Sequence, residues 1–213
     1  MIAVVIGSTG VTGSQLVRDL VLDSTITSVI SVSRRALALT DAKLTQVLVP
    51  DLRELPSLAP TLGGDLYFCC LGTTMKTAGS KANFERVDHD AVMDFARIAS
   101  AHHATSLAVV SATGASARSM IFYNAVKGRT EDDLMALGLR SLLIFRPALL
   151  VGRREEVRRG ERVLIKTLVP LSNLLPARWR RRLVTRVDRL AAHMLAAAKA
   201  APPGTQIIHA QDI

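Results

Sequence analysis

The stretch "IGSTGVTGSQL", residues 6–16, joins an apolar run to a helix-periodic one. Before it, "IAVVI" (2–6) is apolar at every position, as a strand covered on both faces requires. After it, "VRDLVLD" (17–23) carries apolar residues at helical spacing. Gly7, Gly10 and Gly13 therefore stand in a strand-to-helix turn. In that setting Gly7 permits the tight turn, Gly10 lets a backbone approach a pyrophosphate, and Gly13 lets helix and strand pack closely. A helix N-terminus adds free N–H groups and a partial positive charge, which suit phosphate. Thr9, Val11 and Thr12 line the same loop, and a dinucleotide is the expected ligand.

Working outward, "ITSVISVS" (26–33), "LTQVLVP" (44–50), "DLYFCCLG" (65–72), "LAVVSATG" (107–114) and "RSLLIFRP" (140–147) read as further strands. "SKANFERVDHDAVMDFARIASAHH" (80–103), with Ser80 as its cap, and "YNAVKGRTEDDLMALG" (123–138), ended by Gly138, read as helices. Strands alternating with helices predict an α/β chain with a doubly wound parallel sheet, a Rossmann fold. Beyond Gly152 the pattern changes to a charged loop (153–162), an apolar stretch broken by Pro170 (163–175), an amphipathic helix (186–201) and a short last strand, "TQIIHA" (205–210). The whole, 1–213, reads as one NAD(P)-binding domain in which 151–213 form a small substrate-side lobe.

Composition agrees. Apolar residues make up 49% of the 213 and aromatics only 4%, so Ala, Val and Leu supply the core and global disorder is excluded. No apolar run approaches the roughly 18 residues of a membrane span. Met1–Ile6 reads as a core strand and not as a signal peptide. Cys69 and Cys70 are adjacent in a strand, so their side chains point to opposite faces; buried thiols in a reduced, cytoplasmic setting are expected. The five histidines show no metal-ligand spacing, and no metal is expected.

Of the net charge of +9, almost all lies late in the chain: residues 1–150 hold 14 Lys/Arg against 13 Asp/Glu, and 151–213 hold 13 against 5. "PARWRRRLVTR" (176–186) interleaves Trp179 with arginines. Such a segment can bind lipid surfaces or nucleic acid. A solvated helix face over a packed Trp179 is the favoured reading; membrane-surface contact ranks below it, and no nucleic-acid partner is expected.

The second strand ends in Ser33, Arg34 and Arg35, where NAD-selective folds usually carry an acid for the adenosine ribose. Guanidinium forks suit a 2′-phosphate, which favours NADP(H) over NAD(H). Asp51 and Leu52, past the third strand, are candidates for the adenine. Leu71, Gly72 and Thr73, past the fourth, should line the cofactor further along.

Tyr123 and Lys127 stand four residues apart in "FYNAVKG" (122–128). Spacing alone leaves that pair open, because any helix puts i and i+4 on one face. With the glycine loop in place, however, the chain resembles the short-chain dehydrogenase/reductase superfamily. Its extended and atypical branches share the Gly7/Gly10/Gly13 pattern and an Arg-Pro…Gly segment, here "RPALLVG" (146–152), which brings Pro147 to the cofactor. Tyr123 and Lys127 fall where the superfamily keeps its active-site pair, and Ser111 falls near its serine. A closer likeness, over nearly the whole chain, is to the Tat-interacting-protein-like oxidoreductases, through "CCLGTT", "VSATGA" and "FYNAVKG".

The resemblance implies hydride transfer to or from a small carbonyl or alcohol. Tyr123 would exchange the proton, Lys127 would lower the phenol's pKa and bond the nicotinamide ribose, and Ser111 would hold the carbonyl oxygen. One departure stands out: where many of these reductases place an asparagine for a proton relay, the nearest match is Asp88. A cofactor-binding sensor with little turnover, and a sugar-nucleotide epimerase or dehydratase, remain as alternatives. The chain is expected to be a monomer or a homodimer.

Overall fold

The computed structural model describes residues 1–152 and 183–213. Six strands, β1 (Ile2–Ile6), β2 (Ser28–Ser33), β3 (Leu44–Leu48), β4 (Leu66–Cys69), β5 (Ser106–Val110) and β6 (Ser141–Arg146), form the body of one parallel sheet. β7 (Leu149–Val151) and β8 (Val184–Arg186) make a separate parallel pair. β9 (Gly204–His209) returns to the main sheet and pairs parallel with β6. The order across that sheet is β3-β2-β1-β4-β5-β6-β9. This is the doubly wound, Rossmann arrangement expected from the sequence. Its order reverses between β1 and β4, so the carboxyl ends of those strands open a crevice.

Alternation along each strand builds two cores. Val4, Ile6, Tyr67, Cys69, Val109 and Ile144 face one side, where they meet Phe95, Ala96 and Leu134. Ala3, Val5, Phe68, Ala108 and Phe145 face the other, against Leu16, Leu20, Leu190 and Met194. The first side is covered by α4 (Ala91–Ala101) and α5 (Phe122–Ala136), the second by α1 (Val11–Leu22) and α6 (Val187–Ala200). Two shorter helices, α2 (Met75–Ala78) and α3 (Lys81–Glu85), precede α4. Cys69 and Cys70 are free and pack toward opposite cores, as their adjacency in a strand requires.

The two helices of the second layer are tied at their ends. Lys199 Nζ lies 2.7 Å from Asp23 Oδ2. Hydrogen bonds from Lys199 and Thr25 hold the Asp23 carboxyl down at about 2. Of the segment expected as a lobe, α6 and β9 are thus part of the main sheet and its cover. The apolar face of α6 packs against α1 and the sheet, and β9 pairs with the edge of β6. Residues 153–182, which carry the charged loop, the apolar stretch and most of the arginine-rich segment, lie outside the described residues.

The helix expected over 80–103 differs from a regular one. Ser80 caps it by accepting from the Asn83 N–H. A single π turn, Arg86–Asp90, then separates α3 from α4. Such turns insert one residue into the helical repeat and recur at functional sites. Within this one Asp88 is completely buried.

Candidate functional site

The glycine loop has the geometry its spacing implied. Gly7 has φ +76°, and a Cβ there would lie 2.7 Å from the carbonyl carbon and oxygen of Cys70. A Cβ on Gly13 would lie 2.4 Å from the Gly7 oxygen, so the close approach of α1 to the loop depends on its absence. Ser31 donates to the buried Ser8 hydroxyl at 2.7 Å, which pins the loop to β2. Gly10 is the N-cap of α1 and brings no side-chain acceptor, and the first turn holds no acidic residue. The first-turn N–H groups of α1 are therefore left without a side-chain cap at the positive end of its dipole. Thr9 and Gly10 are exposed, Val11 is half-buried, and Thr12 is buried.

The neighbouring strand ends are placed beside this loop by the parallel sheet. The Ser33 hydroxyl is turned inward and donates to the Arg35 carbonyl, while Arg34 and Arg35 are exposed. Asp51 caps the following 3₁₀ turn by accepting from the Arg53 N–H at 3.0 Å, and it also pairs with the Arg53 guanidinium. Leu52 is part of the first core, so its side chain is committed to packing. Leu71, Gly72 and Thr73 follow β4, and the Thr73 N–H donates to Asp88 Oδ2 at 2.8 Å. Pro147 is buried, and its carbonyl accepts from the N–H and the hydroxyl of Thr113 at 3.0 Å each.

Tyr123 and Lys127 lie on α5, beside the end of β5. Lys127 is only 4% exposed, and its Nζ lies 2.8 Å from Asp88 Oδ1. The Thr130 hydroxyl donates to the Asp88 carbonyl at 3.0 Å, so α5 grips the π turn from two positions. Burial alone would lower the Lys127 ammonium; the charge of Asp88 and the nearby Tyr123 outweigh it and hold the pKa above the ordinary lysine value. Tyr123 packs edge-on against Phe84, with ring centroids 5.6 Å apart. Burial raises its phenol, Lys127 pulls it down, and Asp88 pushes it up again, for a net rise. Lys127 thus pulls this phenol down as expected, and burial, with the Asp88 carboxylate, more than offsets that pull.

Ser111 is buried, and its hydroxyl donates to Glu131 Oε1. Glu131 is itself buried and is clamped by Arg146, whose Nε donates to both carboxylate oxygens at 3.0 and 3.1 Å. Its Nη2 closes the pair. The Glu131 carboxylate, chiefly through its hydrogen bond, holds the Arg146 guanidinium's pKa above its ordinary value against the opposing effect of burial. Ser111, Lys127, Thr130 and Glu131 line one crevice together with Val92, Val109, Val110 and Leu134. Glu131 and the role of Arg146 were not found by sequence reasoning. The signal was present: Tyr123, Lys127 and Glu131 are spaced i, i+4, i+8 and share one face of α5.

The structure therefore gathers the glycine loop, the ends of β2 to β6 and the Tyr123–Lys127 helix at one edge of the sheet. The Leu52 side chain packs into the first core at the end of β3. Among the described residues, no cluster of His, Cys, Asp and Glu could hold a metal ion.

No family model matches the chain. It is, however, 34% identical over 157 residues to the mitochondrial protein FMP52-1 of Scheffersomyces stipitis, covering 73% of this chain and 70% of that one. The chain belongs to the family of FMP52. A second member, HTATIP2 of Rattus norvegicus, is 34% identical over 160 residues, 74% of this chain and 66% of that protein. The fold has a solved counterpart in MoeE5, determined in complex with UDP-glucose and NAD, with a TM-score of 0.74, 18% identity, and coverage of 98% and 75% of the two chains.

The family corrects one expectation. FMP52 proteins of several fungi are named mitochondrial, which points to mitochondria and away from the cytoplasm. The cysteines misled because a buried free thiol reports its packing and not its compartment: Cys69 is pushed up to about 11, chiefly by burial.

Proposed function

We propose that this FMP52-family chain is an NADP(H)-dependent oxidoreductase that moves a hydride between the nicotinamide and an unidentified carbonyl or alcohol. The observation that carries the reading is the meeting, at one sheet edge, of an uncapped α1 N-terminus with the Tyr123–Lys127 pair. The glycine cradle fits a pyrophosphate, since added Cβ atoms at Gly7 and Gly13 would close it. Arg34 and Arg35, exposed at the end of β2, are the groups for a 2′-phosphate, which favours NADP(H) over NAD(H). Thr9, Gly10, Val11 and Thr12 would bear on the phosphates, Asp51 on the adenine side, and Leu71, Gly72, Thr73 and Pro147 on the nicotinamide half.

The bound nicotinamide supplies or accepts the hydride. Tyr123 exchanges the proton at the substrate oxygen, and Lys127 orients the ribose while sharing its charge with Asp88. Ser111 borders the substrate oxygen, with its own proton directed to Glu131. A second reading, a cofactor-binding sensor with little turnover, is favoured by that neutralised Lys127 and that committed Ser111 hydroxyl.

A panel of carbonyls and alcohols, followed through the absorbance of NADPH with the unaltered protein and the Tyr123→Phe variant, tests the proposal. Turnover that disappears in Tyr123→Phe while NADPH binding persists supports an oxidoreductase. Undiminished turnover in the variant removes Tyr123 from the reaction, and binding without any turnover leaves the sensor.

A further inference from the structure

The chain leaves β2 at Ser33 and enters β3 at Leu44, and Arg34 and Arg35 open the loop between them, both exposed. An exposed arginine on a loose loop is a poor selector, because ordering its long side chain offsets much of what its charge contributes. This loop is tied down from β3. Gln46 Oε1 accepts from the Leu37 N–H at 2.7 Å, and its Nε2 donates to the Leu37 and Leu39 carbonyls at 3.3 Å each. One side-chain amide thus pairs both backbone groups of Leu37, as a neighbouring strand would.

Two further contacts frame the arginines. Upstream, the buried Ser33 donates to the Arg35 carbonyl. Downstream, Leu37 and Leu39 pack against the second core beside Leu44. The backbone that carries Arg34 and Arg35 is therefore held on both sides, by Ser33 before it and by Gln46 after it. Gln46 has little left to offer a ligand directly. Its NH2 group carries two hydrogens, and the two carbonyls take both. What it does for a bound molecule it does through the loop.

We propose that Gln46 is a positioning residue for the adenosine 2′-phosphate: its amide fixes the 34–39 loop in the shape that presents Arg34 and Arg35 to that group. This rests on the NADP(H) reading and adds to it a residue that touches no cofactor. A loop fixed before binding spares the complex the cost of ordering it, and the saving appears as affinity for whatever the arginines hold. A dinucleotide without the 2′-phosphate calls on neither guanidinium and is indifferent to the clamp. Selectivity between the two cofactors is thus set on β3 as well as at the end of β2.

Calorimetric titration of the full chain with NADPH and with NADH tests this, in the unaltered protein and in Gln46→Met, which keeps the side chain's length and removes its donors and acceptor. NADPH binding should weaken by about threefold, a part of what the two arginines supply together, while NADH binding stays unchanged. In a chain that already carries Arg34→Ala and Arg35→Ala, the same substitution should weaken NADPH binding no further, since a residue that acts through the arginines has nothing left to act on. A merely structural Gln46 would weaken both cofactors alike, or add its loss to that of the arginines, and either result overturns the proposal. If Gln46→Met does not fold, Gln46→Asn, whose amide is too short to bridge Leu37 and Leu39, is read in the same way. The NADP(H) reading fails separately, in the unaltered protein, which would then bind NADPH no tighter than NADH. An NADPH preference that survives intact in Gln46→Met overturns the positioning role alone.

Discussion

The Ser111 hydroxyl donates to Glu131, and the carboxylate that receives it is clamped on its far side by Arg146. A serine hydroxyl carries one proton and two lone pairs, so toward a ligand Ser111 offers acceptance and not donation. The same carboxylate ties α5 to the ends of β5 and β6, which makes it structural as well. Glu131→Gln should cost about 2 kcal/mol in urea unfolding, below the range for fully buried pairs because Arg146 keeps partial contact with water. Ser111→Ala, which removes one hydrogen bond and no charge, should cost about 1 kcal/mol. Equal losses in the two variants would show that the Arg146–Glu131 pair contributes nothing of its own.

Gly128 sets two effects against each other. In a helix interior, alanine is favoured over glycine by about 1 kcal/mol. Here an added Cβ would lie 2.1 Å from the Ser116 carbonyl carbon and the Ala117 nitrogen, in the loop that packs on α5 just behind Lys127. Backbone cannot give way as a side chain can, and overpacking costs about 1–3 kcal/mol or more. Gly128→Ala is therefore expected to lower the melting temperature despite its better propensity. A variant as stable as the parent would place that loop elsewhere.

His89 offers a pH-dependent contact. Its Nδ1 lies 2.8 Å from Asp90 and its Nε2 2.7 Å from Asp133, joining the π turn to α5. Burial would lower its pKa, but the two carboxylates reverse this and raise it. The folded pKa thus exceeds the unfolded one, so the stabilisation is complete below the unfolded value, about 6.5, and is lost as pH rises through the folded value. Both carboxylates are more than half exposed, which limits the gain to about 1 kcal/mol. The melting temperature of His89→Gln should trail the parent's most near pH 5.5 and least near pH 8.5. A gap that widens with pH would contradict the assignment.

Arg34 and Arg35 are exposed and, on this account, act only on a 2′-phosphate. Replacing both by alanine should weaken NADPH binding by about tenfold and leave NADH unchanged. Equal loss for the two cofactors would mean that these arginines read charge in general.

Much of this was legible in the sequence, for reasons that differ by residue. Strands such as "IAVVI" declared themselves because both of their faces are buried, and Gly7 and Gly13 because only glycine survives their contacts with Cys70 and the loop itself. Tyr123 and Lys127 were found through spacing and resemblance. The charge balance around them was not legible, since it depends on a π turn that rotates Asp88 into the protein, and one extra residue in a helical repeat leaves no mark in an apolar pattern. Glu131 was hidden for a related reason: a carboxylate in a helix reads as solvent-facing until the fold brings Arg146 and Ser111 to it. Leu52 looked available because it follows a strand end, but the 3₁₀ turn that Asp51 caps carries it into the core.

The central claim is that the glycine loop and the end of β2 hold a phosphorylated dinucleotide. Calorimetric titration of the folded protein with NADPH, repeated with NADH, addresses it most directly. The account requires saturable binding of one NADPH per chain, tighter than that of NADH. No saturable binding of either cofactor would contradict it.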